Sequence, residues 1–216
     1  MTRFFTSDQH FGHANILKYE DERRRNACGG RFQSISEHDD FIIDQWNAVV
    51  SSDDTVYCLG DFSYKQGAME AVLPFMNGWK ILICGNHDPY IKRLTLPRTT
   101  KMYREAFEDA LRAGFSELHL ELDMKIEGIG QVRLSHFPFL PADTTGLPEY
   151  ELRNREIRPS PDGVALLLHG HVHSQWKSLN NKEQPPMLNV GVDVWGMRPV
   201  SEAQIVSYYR DNLAIG

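Results

Sequence analysis

The stretch LLLHGHVHSQW, residues 166–176, runs three leucines straight into His169, Gly170, His171 and His173. So short an apolar run reads as a buried strand, and the polar cluster marks where that strand stops. Three other stretches share this shape: RFFTSDQHFGH (3–13), DTVYCLGDFS (54–63) and WKILICGNHDP (79–89). Helical patterns lie between them. Residues 35–50 place Ile42, Ile43, Trp46, Val49 and Val50 on one helical face, with Ser34 and Glu37 spaced as a capping box. A shorter helix is predicted over 66–76, ended by Asn77-Gly78, and another over 101–113, stopped by Gly114. Strand–helix alternation of this kind predicts parallel βαβ units.

The second half changes character. ELHLELDMKI (117–126) and GQVRLSH (130–136) predict antiparallel strands in close succession around a turn marked by Gly128 and Gly130. The last strands fall near 164–169 and 187–192. A final helix starts at Ser201, with Gln204 as capping partner and Ile205, Tyr208 and Tyr209 turned inward. Residues 18–33 and 138–162 read as long loops, of the kind that carry function in compact domains. The sequence contains no internal repeat and no composition shift, so residues 1–216 are expected to form a single domain.

Hydrophobic residues make up 41% of the 216, enough for a sizeable core. No apolar run approaches the ~18 residues of a membrane span, and MTRFFTSDQH has no leader pattern, so no membrane partner is expected. The net charge of −6 argues against a sequence-blind nucleic-acid binder, leaving nucleic acid at most a substrate. Cys28, Cys58 and Cys84 are odd in number, and two lie in apolar runs, which suits reduced thiols in the cytoplasm.

Open α/β sheets bind ligands beyond the carboxyl ends of their strands. Those ends supply Asp8, His10, Asp61, Asn86, His136, His171 and His173. His171 and His173 alone would fit a polar strand end as well as a metal site. Seven donors together oversupply one octahedral ion, but two ions sharing Asp61 would each receive four. Two-metal sites hold their ions ~3.5–4 Å apart and clamp the attacking and leaving oxygens of an in-line displacement. Residues i and i+2 of a strand face the same side ~6.5–7 Å apart, so His171 and His173 can lean onto neighbouring ions while Gly170 permits close backbone approach. Mixed Asp, Asn and His donors suit Mn²⁺, Fe, Zn²⁺ or Ni²⁺ better than Mg²⁺ or Ca²⁺.

The blocks Asp8-x-His10, Gly60-Asp61, Gly85-Asn86-His87-Asp88, His136 and Gly170-His171-x-His173, in this order, resemble the calcineurin-like metallophosphoesterase family. The resemblance implies a four-layer α/β/β/α sandwich with mixed sheets. It implies one ion on Asp8, His10, Asp61 and His173, and a second on Asp61, Asn86, His136 and His171. It also implies catalytic roles for His87, beside the phosphate, and for Asp88, orienting the His87 ring. FTSDQHFGHANI looks more specifically like small bacterial and phage phosphoesterases, in which His13 and Asn15 would lie near the substrate. Protein Ser/Thr phosphatases carry Arg where Leu59 stands and Glu where Asp88 stands, so that branch is set aside.

The function expected is a dinuclear metal-dependent phosphoesterase, in which a metal-bridging hydroxide attacks phosphodiesters or small phosphomonoesters in line. The alternatives are a metal-dependent nuclease and a non-catalytic interaction module on the same fold. Arg23, Arg24, Arg25 and Arg31 form the one basic cluster, read as a solvated loop or as a flap in which Arg31 meets a distal phosphate. His38 is expected to be solvated, His169 packed, and Asn189 and Asp193 to fix the loop around the site.

Overall fold

Period-2 alternation divides the strands of the first half between two cores. A computed structural model describes residues 1–30, 32–141, 143–146, 149, 152, 154–180 and 183–214. In chain order the elements are β1 (Arg3–Thr6), α1 (Ile16–Tyr19), α2 (Asp21–Cys28), α3 (Ile35–Asn47), β2 (Thr55–Cys58), α4 (Gln66–Val72), β3 (Trp79–Ile83), α5 (Ile91–Leu94), α6 (Lys101–Ala113) and β4 (Glu117–His119). They continue with β5 (Glu121–Ile126), β6 (Gly130–Ser135), β7 (Leu166–His169), β8 (Ser178–Leu179), β9 (Met187–Asn189), β10 (Val200–Ser201) and α7 (Glu202–Asn212).

The first sheet has the order β10-β1-β2-β3-β4, parallel except for β10. The second has the order β5-β6-β7-β9-β8, with a parallel centre between antiparallel edges. Phe4, Val56, Cys58 and Leu82 point to a core beneath α3, α4 and α6, where Trp46, Met69, Leu73 and Ala110 are buried. Their neighbours Phe5, Ile81 and Ile83 point the other way and meet Val132, Leu134, Leu166 and Leu168 between the sheets. Leu167 alternates outward to a third cluster with Phe139 and Met187. Two mixed sheets face to face with helices outside are the α/β sandwich expected from the sequence.

Local chemistry sets the helix ends. Ser34 Oγ accepts from the Glu37 backbone N–H at 3.1 Å, while the Glu37 carboxylate accepts from the Gln33 N–H at 2.6 Å, one residue before the cap. Thr100 caps α6 in the same way, accepting from Tyr103 N–H at 3.2 Å. Gly114 ends α6 in the left-handed region at φ 117°, which costs glycine little. The full capping box is at α7, where Ser201 and Gln204 exchange bonds. That helix turns Ile205 into the inter-sheet core and ties Tyr208 OH to Ser178 Oγ at 3.0 Å.

Two expectations are corrected here. The run 117–126 is not one strand beside an antiparallel neighbour. It breaks at Leu120: β4 joins the first sheet parallel to β3, and β5 opens the second. Unbroken alternation through Leu118, Leu120 and Leu122 conceals that change of sheet. Residues 18–33 are not a loop, because they carry the end of α1 and all of α2. Of the long stretch 138–162, residues 155–157 form a 3₁₀ turn.

Trp46 is fully buried and donates its indole N–H to Asn77 O at 3.0 Å. Trp46→Ala is expected to lower unfolding stability by ~3–5 kcal/mol, the range for a large core aromatic, measured by urea titration.

Candidate metal centre

The strand exits of both sheets meet at one edge and are laced by backbone hydrogen bonds. Asp8 N–H donates to Gly60 O at 3.1 Å, His10 N–H to Asp61 O at 3.0 Å, and Gly170 N–H to His136 O at 3.0 Å. A parallel bridge pairs Ser7 with Gly191 and so joins the first sheet to the second. Five donor residues sit in left-handed backbone: Asp8 (φ 62°), His10 (55°), Asp61 (52°), His171 (72°) and His173 (48°). Such conformations are uncommon outside glycine, cost roughly 1 kcal/mol or more each, and cluster at functional sites.

All seven donors named from the sequence come together. Donor atoms of Asp8, His10 and His173 lie within 4.8 Å of one another, as do those of Asp61, His136 and His171. Asp61 links the groups: its Oδ2 is 3.4 Å from His136 Nε2 and 3.7 Å from His10 Nε2. Asn86 Oδ1 is 3.2 Å from His136 Nε2. A third group, Glu20 with His173 and Asp193, was not legible in the sequence.

The outer bonds of the rings fix where their lone pairs point. His173 Nδ1 lies 3.0 Å from Asp193 Oδ2, which can only accept, so the ring proton sits on Nδ1 and Nε2 faces inward. His136 Nδ1 donates to Leu59 O at 2.8 Å, leaving its Nε2 toward Asn86 Oδ1 and Asp61 Oδ2. His10 Nε2 and His173 Nε2 are 3.3 Å apart. The His171 N–H donates to both Asp8 oxygens at 3.1 Å, but the inward ring nitrogens face further acceptors, an arrangement that favours cations. Without metal, protons must serve. Burial opposes charge on His136 and His173, yet the carboxylates of Asp61 and Asp8, respectively, carry each up to about 9. Burial and the charge of His136 hold His171 down at about 2. These donors fit divalent metal ions.

Close approach explains the glycines. A Cβ on Gly170 would overlap Ser7 Oγ and lie 2.5 Å from Asp8 Oδ2. A Cβ on Gly60 would lie 2.6 Å from His136 Nδ1, and one on Gly85 would overlap Asp61 Oδ1.

The other named residues are placed as follows. His87 donates its backbone N–H to Asp61 Oδ1 at 2.8 Å. Its half-buried ring stands with Nε2 3.9 Å from Asp61 Oδ2 and its centroid 4.4 Å from that of Tyr64. Asp88 does not orient that ring in the way expected. Its buried carboxylate accepts backbone N–H bonds from Asp61 (3.0 Å), Phe62 (2.9 Å), Ser63 (3.2 Å) and Gly85 (2.8 Å). Burial and the nearby Asp61 charge push its carboxyl up to about 7 against those four donors. His13 lies at the rim, its ring 5.5 Å from His10 and 4.7 Å from Tyr64. Asn15 is exposed at the start of α1 and makes no side-chain capping bond. Arg31 lies outside the described residues.

Asn189 and Asp193 do fix the neighbouring loop. Asn189 donates to His173 O at 2.8 Å and accepts from Gly191 N–H at 2.7 Å. His169 is buried against Trp176, with ring centroids 4.7 Å apart. His38 is buried rather than solvated, with Nε2 2.6 Å from Arg24 Nη1 and Nδ1 2.9 Å from Asp39 Oδ1. Arg24 is likewise fully buried, not part of a solvated loop. Tyr64, three residues after Asp61, is the aromatic wall that the sequence reading passed over.

The sequence profile of the calcineurin-like phosphoesterase family matches residues 1–175. The chain belongs to that family. A calcineurin-like phosphoesterase of this size has viral relatives. The chain is 33% identical over 207 residues to the Gene 66 protein of Mycobacterium phage L5, covering 94% of this chain and 91% of that one. It is 32% identical over 202 residues to the Gene 66 protein of Mycobacterium phage D29, covering 89% and 88%. Among solved structures it resembles the protein of unknown function AQ665 from Aquifex aeolicus, with TM-score 0.57, 25% identity, and 95% and 98% coverage. The phage relatives place it with the small phage and bacterial branch.

Gly170→Ala is expected to destabilise the protein by ~1–3 kcal/mol through overpacking of a site that cannot yield. Urea unfolding in chelator measures this, and no loss would mean that Ser7 and Asp8 can move.

Proposed function

We propose that this calcineurin-like phosphoesterase hydrolyses phosphodiesters in preference to phosphomonoesters, using two transition-metal ions such as Mn²⁺. The observation that carries the reading is the pair of donor groups joined through Asp61, with His87 open beside them. Asp8, His10, Asp61 and His173 would hold one ion, and Asp61, Asn86, His136 and His171 the other. Such a pair supplies Lewis acidity and lowers the pKa of a bound water.

The chain's own residues do the rest. Asp61 fixes the His87 backbone, and Tyr64 packs against the His87 ring, so Nε2 is held at the edge of the donor cluster. There it can hold a proton for the departing ester oxygen. Burial pulls the His87 ring below the usual histidine range while Asp61 pulls it up. An anionic phosphate alongside would favour its charged form. Asp88 serves by holding the 61–63 backbone in place. On the open side, His13 and Tyr64 bring a neutral imidazole and a phenol beside the His87 ring. That suits the single negative charge of a diester better than the double charge of a monoester.

We also place the protein in the cytoplasm. Cys28, Cys58 and Cys84 are free, and burial holds the Cys58 and Cys84 thiols up, protonated and inert. No helix among the described residues is long and apolar enough to cross a membrane.

Two measurements test this. Rates on bis-p-nitrophenyl phosphate should exceed those on p-nitrophenyl phosphate, and should be higher with Mn²⁺ or Ni²⁺ than with Mg²⁺; a faster monoester rate would overturn the diester preference. His87→Ala should retain both ions by elemental analysis yet lose ~10²–10⁴-fold in turnover, most on poor leaving groups, whereas Asp61→Ala should lose both ions.

A further inference from the structure

Among the described residues, Arg24 is the largest fully buried side chain after Trp46, yet it is a guanidinium on a helix with no apolar stripe. Its five N–H groups are all engaged. Nε and Nη2 form a fork on Asp193, at 2.7 Å to Oδ1 and 3.1 Å to Oδ2. Nη2 also donates to Asp8 O at 2.8 Å. Nη1 donates to Gln9 O at 3.3 Å and meets His38 Nε2 at 2.6 Å. Because a guanidinium can only donate, His38 Nε2 must accept, and the His38 proton goes to Nδ1, facing Asp39 Oδ1 at 2.9 Å. Burying an arginine charge is costly unless every donor is matched. Packing alone would be served as well by an apolar side chain.

We propose that Arg24 is a positioning residue for one of the two metal sites. It grips two members of the donor group Asp8, His10 and His173 from behind. It reaches Asp8 directly through the backbone carbonyl, at a residue in left-handed conformation. It reaches His173 through Asp193, whose Oδ2 lies 3.0 Å from His173 Nδ1. The chain Arg24–Asp193–His173 fixes the plane of that ring and aims Nε2 into the pocket. Partners behind a ligating histidine typically govern metal affinity 10–100-fold. The second donor group is held otherwise, since His136 leans on the backbone carbonyl of Leu59. The α2 segment is thus a brace for one half of the centre, and losing Arg24 should affect the two ions unequally. The inference rests on the metal reading above.

The test uses the full chain, Co²⁺ as probe, calorimetric titration, and the visible d–d absorption of the bound ion. The unaltered protein should bind two Co²⁺. Arg24→Met should bind one with unchanged affinity and the other ~10–100-fold more weakly, with an altered spectrum for that ion alone. Arg24→Lys, which can meet Asp193 but not the fork and both carbonyls together, should fall between. Asp193→Asn should reproduce the selective loss, and adding it to Arg24→Met should cost little more. If Arg24→Met does not fold, Asp193→Asn decides by the same criterion. Both affinities within twofold of the unaltered protein, or equal weakening of both ions, would overturn the proposal. No Co²⁺ bound by the unaltered chain would remove the metal reading itself, and the proposal with it.

Discussion

Lone pairs converging on one small pocket are the constraint around which this molecule is arranged. The inward nitrogens of His136 and His173 face oxygens of Asn86, Asp61 and Asp8. Left to itself such a pocket would open or take up protons. The fold prevents opening by tying each strand exit to its neighbour through backbone bonds, and by accepting left-handed backbone at five donor residues. Gly60, Gly85 and Gly170 are the other half of that solution, since side chains there would push the exits apart.

What the sequence disclosed and what it concealed follow physical lines. The strands were legible because Phe4 and Phe5, or Ile81 and Leu82, face opposite cores, and the period of two survives in the text. The long helices were legible from the caps at Ser34 and Ser201 and from the stop at Gly114. The seven donors were legible because parallel strands deliver their ends to one edge. By contrast, α2 has no apolar face, since the residue it buries is Arg24, so hydrophobic periodicity could not reveal it. His38 was misread for a related reason: its partner lies fourteen positions upstream, across a helix boundary. Asp88 stands beside His87 in sequence but turns to the backbone of residues 61–63. Adjacency along the chain says little about which way a side chain turns after a strand end.

Charge explains how an acidic protein can host an anionic substrate. The net charge of −6 belongs to the whole surface, whereas a phosphate meets only the pocket. There the carboxylates of Asp8 and Asp61 are matched one for one by His136 and His173, whose rings are carried up to about 9, and two divalent ions would bring twice the charge of the two carboxylates. Arg24 keeps Asp193 from adding a further uncompensated charge behind His173.

The Ser7–Gly191 bridge has one more implication. Asp8, His10, Asp61 and Asn86 leave the first sheet, while His136, His171 and His173 leave the second. An ion bound here would therefore be a staple through two leaves also held by apolar contact, by that backbone pairing and by polar bonds such as His136 to Leu59 O and the His171 N–H to Asp8. Its grip adds to cohesion by mass action, ~2.7 kcal/mol at a hundredfold excess over the dissociation constant. Chelation would loosen the sandwich along the seam where the chemistry is done.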